Sequence, residues 1–210
     1  VVGELMEMNT AREAKNASVG ADPRAPWLDE DGLRKLLAPP AETWRERRDR
    51  MCLLFFIGLG WRRSEIAGLC VEDFRGAMVT RIVKGGDPLT VGVPMWLQGE
   101  MAAWRTFAGI DAGPLLPRAP DEPSAISSKM AYDIVTAAAK RAGVVIAPHG
   151  LRRSFVTVLG QMGVDLKTRQ LAVGHKSQTT TERYDRAGLA ATSAPGELFA
   201  DIVRPKQTPG

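Results

Sequence analysis

A histidine and two arginines precede an apolar helical segment in the stretch HGLRRSF, which holds His149, Arg152 and Arg153. At about 100° per residue, Arg152 falls at the edge of the apolar face of this helix, and Arg153 points away from that face. A guanidinium that is half removed from water at such an edge needs an anion. Since the guanidinium geometry and the helix dipole both favour an anion, His149 and Arg152 at a helix start predict a phosphate site. An ordinary basic helix start is the alternative for this motif taken alone.

Two further stretches place cations at the ends of predicted elements. GWRRSE puts Arg62 and Arg63 where a loop enters a helix, with Glu65 close behind. Lys84 lies in a Gly-Gly turn between two β-rich runs, where a flexible ammonium could reach a bound phosphate backbone. A solvated surface lysine is the alternative interpretation of Lys84.

The stretch GHKSQTTTERY carries a possible nucleophile. It places His175 and Lys176 in a glycine turn, and Arg183 and Tyr184 on a short predicted helix. A tyrosine hydroxyl has a pKa of about 10, so at neutral pH it needs a base and nearby positive charge to attack phosphorus. Residues 149–186 hold seven Lys and Arg against three Asp and Glu, which equals the net charge of +4 of the whole chain. Such concentrated basicity indicates a polyanionic partner, above all nucleic acid.

The elements that must position these residues are mostly helical. Apolar spacing and capping residues predict helices over about 30–38, 42–58, 64–69, 96–107, 128–143, 150–162, 166–173 and 179–186. Two β-rich runs, 78–83 and 89–93, predict a hairpin, and 113–123 reads as a Pro-rich loop. We therefore expect a mostly α domain with one small antiparallel β-sheet, an α+β fold.

In order and spacing, these motifs resemble those of the tyrosine recombinases, the phage integrase family, from about residue 27 to 186. The resemblance implies the catalytic-domain fold shared with type IB topoisomerases. It also implies that Tyr184 attacks a DNA phosphodiester and forms a 3′-phosphotyrosyl link. His149 is then the proton acceptor for the tyrosine, and Lys84 the general acid that protonates the leaving 5′-oxygen.

The same resemblance gives roles to the other motif residues. Arg62 and Arg152 bind the non-bridging oxygens of the scissile phosphate, and His175 donates a hydrogen bond to it. Glu65 supports the site without reacting. We expect further contacts with the DNA from Arg63, Arg153, Lys176 and Arg183.

The predicted activity is site-specific DNA recombination, integration included, on double-stranded DNA. We expect neither metal nor ATP, because the sequence has no carboxylates at metal spacing and no P-loop, and its Cys and His spacings match no compact zinc site. The full-length protein is expected to act as a homotetramer on DNA, with directionality or host factors as further partners. The alternatives are a catalytically inactive DNA-binding relative and a type IB topoisomerase-like relaxase.

The predicted organisation has three parts. Residues 1–26 are a linker or a remnant of a missing N-terminal DNA-binding domain, 27–186 the catalytic domain, and 187–210 a tail that docks on a neighbouring subunit. The first residue is Val1, which suggests a fragment of a longer protein. No apolar run approaches the ~18 residues of a membrane span, and no secretory signal is visible. We expect a cytoplasmic, nucleoid-associated protein from a bacterium or phage.

Overall fold

The structure, a computed structural model, describes residues 26–82, 88–174 and 195–203. Its helices are α1 (Glu30–Leu37), α2 (Trp44–Leu59), α3 (Arg63–Ala67), α4 (Met95–Ala108), α5 (Ser128–Arg141), α6 (Pro148–Gln161), α7 (Leu166–Val173) and α8 (Ala200–Val203). Its strands are β1 (Phe74–Arg75), β2 (Met78–Ile82), β3 (Pro88–Gly92), β4 (Pro117–Ala119) and β5 (Glu122–Ala125). The expected mostly helical fold with a small antiparallel sheet is confirmed, and the described residues form a second small sheet, β4–β5, that was not expected.

Helix α2 forms the centre of the core. Thr43 and Glu46 close a capping box at its start, since the side chain of each accepts a hydrogen bond from the backbone N–H of the other. Every residue of its second half, 51–59, is buried, as expected for a helix that is apolar on all sides. It packs against α4, α5 and α6. The helix ends at Gly60, which has a left-handed backbone with φ 62°.

The predicted hairpin is present, and the sheet has a third strand. β2 and β3 pair antiparallel from Met78 opposite Gly92 to Ile82 opposite Pro88. β1 adds to the other edge of β2, with Phe74 opposite Val79. The sequence did not predict β1 because two residues are too short to show an alternating pattern. The turn at 83–87 lies outside the described residues.

The interpretation of 113–123 as a loop is partly wrong. β4 and β5 form a second antiparallel hairpin within 117–125. A tertiary contact holds it in place: Nη1 of the buried Arg48, on α2, donates to the carbonyl oxygen of Arg118 at 2.6 Å. Because three prolines, Pro117, Pro120 and Pro123, interrupt the pattern and the anchor comes from distant sequence, local propensity could not reveal this hairpin.

The two ends of the described chain pack onto α6. The hydroxyl of Ser154 accepts from the backbone N–H of Leu28 at 2.8 Å, which ties the first described residues to this helix. Phe199 stacks on Phe155 with ring centroids 5.4 Å apart. The indole of Trp96 donates to the carbonyl oxygen of Gly196 at 2.9 Å. Residues 195–203 thus pack on their own domain, and docking of the tail on a neighbouring subunit stays a prediction.

No helix in the described part of the chain has both the length and the apolar character that a membrane span requires.

Candidate active site

Arg152 lies on the second turn of α6 and is buried, with 5% of its surface exposed. Its Nη1 donates to the carbonyl oxygen of Gly60 at 2.9 Å, and its Nη2 to that of Val173 at 2.7 Å. The expected half-exposed position at the helix edge is therefore wrong. The carbonyl-bearing ends of α2 and α7 cover the guanidinium, which a helical wheel cannot foresee. Burial, followed by the positive charge of Arg62, lowers the pKa of Arg152 to about 10.

The end of α2 is shaped to hold this arginine. Gly60 adopts the left-handed conformation, and a Cβ atom there would lie 2.3 Å from Cδ1 of Phe155. The backbone of α2 therefore approaches α6 more closely than any larger residue would permit. This close approach brings the carbonyl of Gly60 to Arg152.

Arg62 and Glu65 meet at the start of α3. The Oε2 atom of Glu65 accepts from the backbone N–H of Arg62 at 2.7 Å, and Oε1 accepts from Nη1 of Arg62 at 3.0 Å. The side chain of Glu65 is 8% exposed and that of Arg62 is 39% exposed. One carboxylate thus caps the helix and orients the arginine, whose other guanidinium atoms stay open to a ligand.

A third arginine, Arg81 on β2, completes the group and was not predicted from the sequence. Its Nη1 lies against Oε2 of Glu65, its Nη2 donates to the carbonyl oxygen of Val173 at 3.4 Å, and its guanidinium lies 3.9 Å from the ring centroid of Trp61. Burial lowers the pKa of Arg81 to about 10. The sequence did contain a signal for Arg81. Val79 and Arg81 are two residues apart and lie on the same inward face of β2, where a charged side chain is unexpected.

We name Arg62, Glu65, Arg81 and Arg152 the site cluster. Arg62, Glu65 and Arg81 all act electrostatically on Arg152, so the four charges share one small volume. Among the described residues the cluster holds three cations and one carboxylate, a surplus of two positive charges. Removing unbalanced charge from water is costly, and a bound anion would offset that cost. The arrangement fits a phosphate.

The other predicted site residues of the described segments lie around this cluster. His149 is exposed on α6, one turn before Arg152. Arg63 is exposed at the start of α3, with its guanidinium carbon 5.8 Å from the ring centroid of Tyr132 on α5. Arg153 is half-buried.

Five predicted residues lie outside the described residues, and their positions stay predictions: Lys84, His175, Lys176, Arg183 and Tyr184. Two elements that contact the site cluster end two residues before two of these positions in the sequence. β2, which carries Arg81, ends at Ile82, two residues before Lys84. α7 ends at Val173, two residues before His175.

Within 26–82, 88–174 and 195–203, no group of three or more His, Cys, Asp or Glu side chains is placed to hold a metal ion.

Comparison with known proteins identifies relatives of this domain. The chain is 31% identical over 168 residues to the tyrosine recombinase XerA of Thermococcus kodakarensis, a match that covers 76% of this chain and 57% of that protein. The integrase of mycobacterium phage Brujita has a similar structure, with a TM-score of 0.67, 25% identity, and coverage of 92% of this chain and 62% of that one.

A structure of a lambda integrase tetramer bound to a Holliday junction shares the fold, with a TM-score of 0.58 and 16% identity over 76% of this chain and 49% of that one. The chain spans a little over half the length of the curated XerA relative, at 57%. A sequence model described as the phage integrase family matches residues 26–188, which is most of the chain. The chain therefore belongs to the phage integrase family.

Proposed function

We propose that this domain catalyses site-specific DNA recombination, cleaving and rejoining DNA through a 3′-phosphotyrosyl intermediate without metal or ATP. The observation that carries the proposal is the surplus of positive charge in the site cluster. The cluster contains Arg62, Arg81 and Arg152 but only one carboxylate, that of Glu65. The transition state of phosphoryl transfer spreads negative charge over the phosphate oxygens, so fixed cations can supply much of the catalysis.

In the proposed reaction, the hydroxyl oxygen of Tyr184 attacks the phosphorus atom and the bond to the 5′-oxygen breaks. His149 takes the proton of the tyrosine. Lys84 gives a proton to the leaving oxygen. The exposed position of His149, one turn from Arg152, supports access to both the phosphate and the tyrosine. Because the phosphotyrosyl bond keeps the energy of the broken diester, rejoining needs no nucleotide.

Arg152 and Arg62 have different roles in this proposal. Arg152 is held by two carbonyl oxygens, at 2.9 and 2.7 Å, so its guanidinium needs little reorganisation when a phosphate arrives. Arg62 is more exposed and is oriented by Glu65. Both would contact non-bridging oxygens, and His175 would donate a further hydrogen bond.

The partner we propose is double-stranded DNA, contacted further by Arg63, Arg153, Lys176 and Arg183. The lambda integrase relative is a tetramer on a Holliday junction, which supports a homotetramer on DNA for the full-length protein. Directionality or host factors would complete that assembly. We also propose that residues 1–26 link to a separate DNA-binding domain, that 187–210 dock on a neighbouring subunit, and that the protein is cytoplasmic beside the nucleoid.

Covalent trapping on a nicked half-site, taken from DNA flanking the gene, tests the reaction. With EDTA present, the wild-type chain is expected to form a covalent DNA adduct, and Tyr184→Phe to form none. Tyr132, the other tyrosine of the chain, offers a matched control, since it is 40% exposed and Tyr132→Phe keeps the ring beside Arg63. Adduct formation that survives Tyr184→Phe would contradict the proposal.

The same preparations separate the alternatives. DNA binding without an adduct would indicate an inactive relative. Relaxation of plasmids that lack any recognition site would indicate a topoisomerase-like relaxase. Strand exchange between two cognate sites is the result expected of a recombinase.

A further inference from the structure

Arg81 joins three separate segments of the chain through one buried side chain, which is only 5% exposed. Its guanidinium contacts the carboxylate of Glu65 on α3 and the carbonyl of Val173 at the end of α7, while its own backbone belongs to β2. The ring of Trp61, 3.9 Å away, supports the guanidinium plane. The orientation of the side chain is therefore defined by Glu65, the carbonyl of Val173 and the ring of Trp61, while its buried Nε has no hydrogen-bond partner among the described residues.

Each of these three segments leads to a different predicted catalytic residue. Glu65 orients Arg62. Val173 stands two residues before His175, and Arg81 stands three residues before Lys84. The carbonyl of Val173 also accepts from Arg152, at 2.7 Å. A small displacement of Arg81 would thus be transmitted to the carboxylate that orients Arg62 and to the carbonyl that accepts from Arg152.

Stability alone is a poor reason for such a residue. Replacing a buried ion pair by well-packed apolar side chains is often neutral or stabilising, and β2 already places Val79 on the same inward face. A leucine or methionine could fill the space beside Trp61. It could not hold Glu65 and the carbonyl of Val173 at once.

We propose, on the basis of the proposed function, that Arg81 is a positioning residue. It sets the relative positions of Arg62 and Arg152 by holding Glu65 and the carbonyl of Val173 without touching the DNA. Misplacement of reacting groups by about 1 Å can reduce a rate roughly 100-fold, so we expect the effect on the chemical step. DNA affinity should change little, because it is shared among many phosphate contacts and the scissile phosphate is only one of them.

The test uses the full 210-residue chain and a nicked half-site in single-turnover cleavage. Arg81→Met is expected to slow adduct formation by roughly 100-fold, while the Kd for the same DNA stays within about twofold of wild type. Arg81→Lys keeps the charge beside Glu65 but has no planar pair of donors, so it recovers only part of the rate, with a loss of roughly 10-fold. If Arg81→Met does not fold, the lysine variant alone decides.

Arg48→Met is the matched control. Arg48 is also a buried arginine, 1% exposed, and it also pairs with a carboxylate and donates to a main-chain carbonyl, but it anchors β4 on α2. We expect this variant to lose stability and to keep its cleavage rate within about threefold at a temperature where it is folded. Equal cleavage rates for Arg81→Met and Arg48→Met would overturn the proposal and leave Arg81 a purely structural role.

A double-mutant cycle distinguishes failure of this inference from failure of the proposed function. If Arg81 acts through Glu65, the urea unfolding equilibria of Arg81→Met, Glu65→Gln and the double variant must be non-additive, with the double variant less destabilised than the sum. This readout needs no catalysis. Additivity would refute the Arg81–Glu65 link even if wild type cleaves DNA. Absence of an adduct from wild type, together with strong coupling, would refute the proposed function alone.

Discussion

The domain buries arginine side chains in two regions, and these regions differ in how completely the positive charge is neutralised. Arg48 on α2 pairs with the carboxylate of Asp49 at 2.6 Å and donates to the carbonyl oxygen of Arg118. We name Arg48, Asp49 and this carbonyl the Arg48 anchor. It contains one cation and one carboxylate. The site cluster has three arginines around the single carboxylate of Glu65.

The difference separates charge used for structure from charge used for function. In the Arg48 anchor the buried cation is neutralised, and its donors fix the β4–β5 hairpin. In the site cluster, burial lowers the pKa of both Arg81 and Arg152, and the described residues do not balance the surplus. Positive charge kept at such a cost is expected where an anion binds and reacts.

Arg152→Lys is expected to have the largest effect in this comparison. A lysine cannot donate to two carbonyls and still present a planar face to phosphate, so the rate of adduct formation should fall about 1,000-fold. Arg48→Lys should change the rate less than about threefold, because it lies in the neutralised region. Single-turnover trapping on the nicked half-site measures both. Similar losses in the two variants would show that the comparison has no functional meaning.

The residual activity of Arg152→Lys should also depend on pH. The burial that lowers the pKa of Arg152 to about 10 disfavours any cation at this position. A lysine begins from a lower pKa of about 10.4, and the same burial would lower that pKa further. Because only the protonated lysine can bind phosphate, activity of the variant should decline as the pH rises through the lowered pKa, while wild type stays charged. A flat pH profile for the variant would contradict this account of the burial.

Removal of the carboxylates should have the next largest effect. Glu65→Gln leaves Arg81 buried without its counterion and is expected to reduce the free energy of unfolding by about 4 kcal/mol. Asp49→Asn should cost somewhat less, about 3 kcal/mol, because Arg48 also loses its buried counterion but the side chain of Asp49 is more exposed, at 18% against 8% for Glu65. Urea unfolding of the two variants measures the difference. A larger loss for Asp49→Asn would reverse the ranking of the two regions.

Sequence could predict the fold where the signal was local. The caps at Asp29, Thr43 and Ser127 and the apolar run of 51–59 determine helix positions without reference to the rest of the chain. The β4–β5 hairpin was missed because it depends on Arg48, about 70 residues earlier. Elements stabilised by distant contacts leave little trace in their own sequence.

In the site, too, local sequence signals predicted some residues, and residues positioned by distant contacts were missed. Motif spacing identified Arg62, Glu65 and Arg152, which the structure brings together. It could not reveal Arg81, whose partners Glu65 and Val173 are 16 and 92 residues away in sequence. Nor could a helical wheel show that the end of α7 covers Arg152, since it describes one helix in isolation.

Two glycines at the C-termini of helices allow a more local test of the comparison between the site cluster and the rest of the domain. Gly60 and Gly109 both end helices with a left-handed backbone, at φ 62° and 65°. An added Cβ meets Phe155 at Gly60 and nothing within 4 Å at Gly109. Gly109→Ala should therefore cost about 1 kcal/mol from backbone strain alone. Gly60→Ala should cost about 3 kcal/mol, because strain and overpacking add.

Gly60→Ala should also slow DNA cleavage, because the carbonyl of Gly60 holds Arg152. Thermal unfolding gives the stability difference, and adduct trapping below the unfolding transition gives the rate. Unchanged cleavage by Gly60→Ala would show that Arg152 does not depend on this carbonyl.

The smallest expected effect concerns surface arginines beside the two regions. Arg63 is exposed next to Arg62, whereas Arg47, next to Arg48, lies over the ring of Phe107 with its guanidinium carbon 4.1 Å from the centroid. A contact with one phosphate contributes about 0.9 to the slope of log K against log salt concentration. Arg63→Ala should reduce the slope by that amount and weaken binding a few-fold at low salt, and Arg47→Ala should change neither. Fluorescence anisotropy on a half-site duplex over a range of NaCl concentrations measures both slopes. Equal slopes would mean that the DNA surface does not extend from the site cluster along the start of α3, and that the surplus charge acts only on the scissile phosphate.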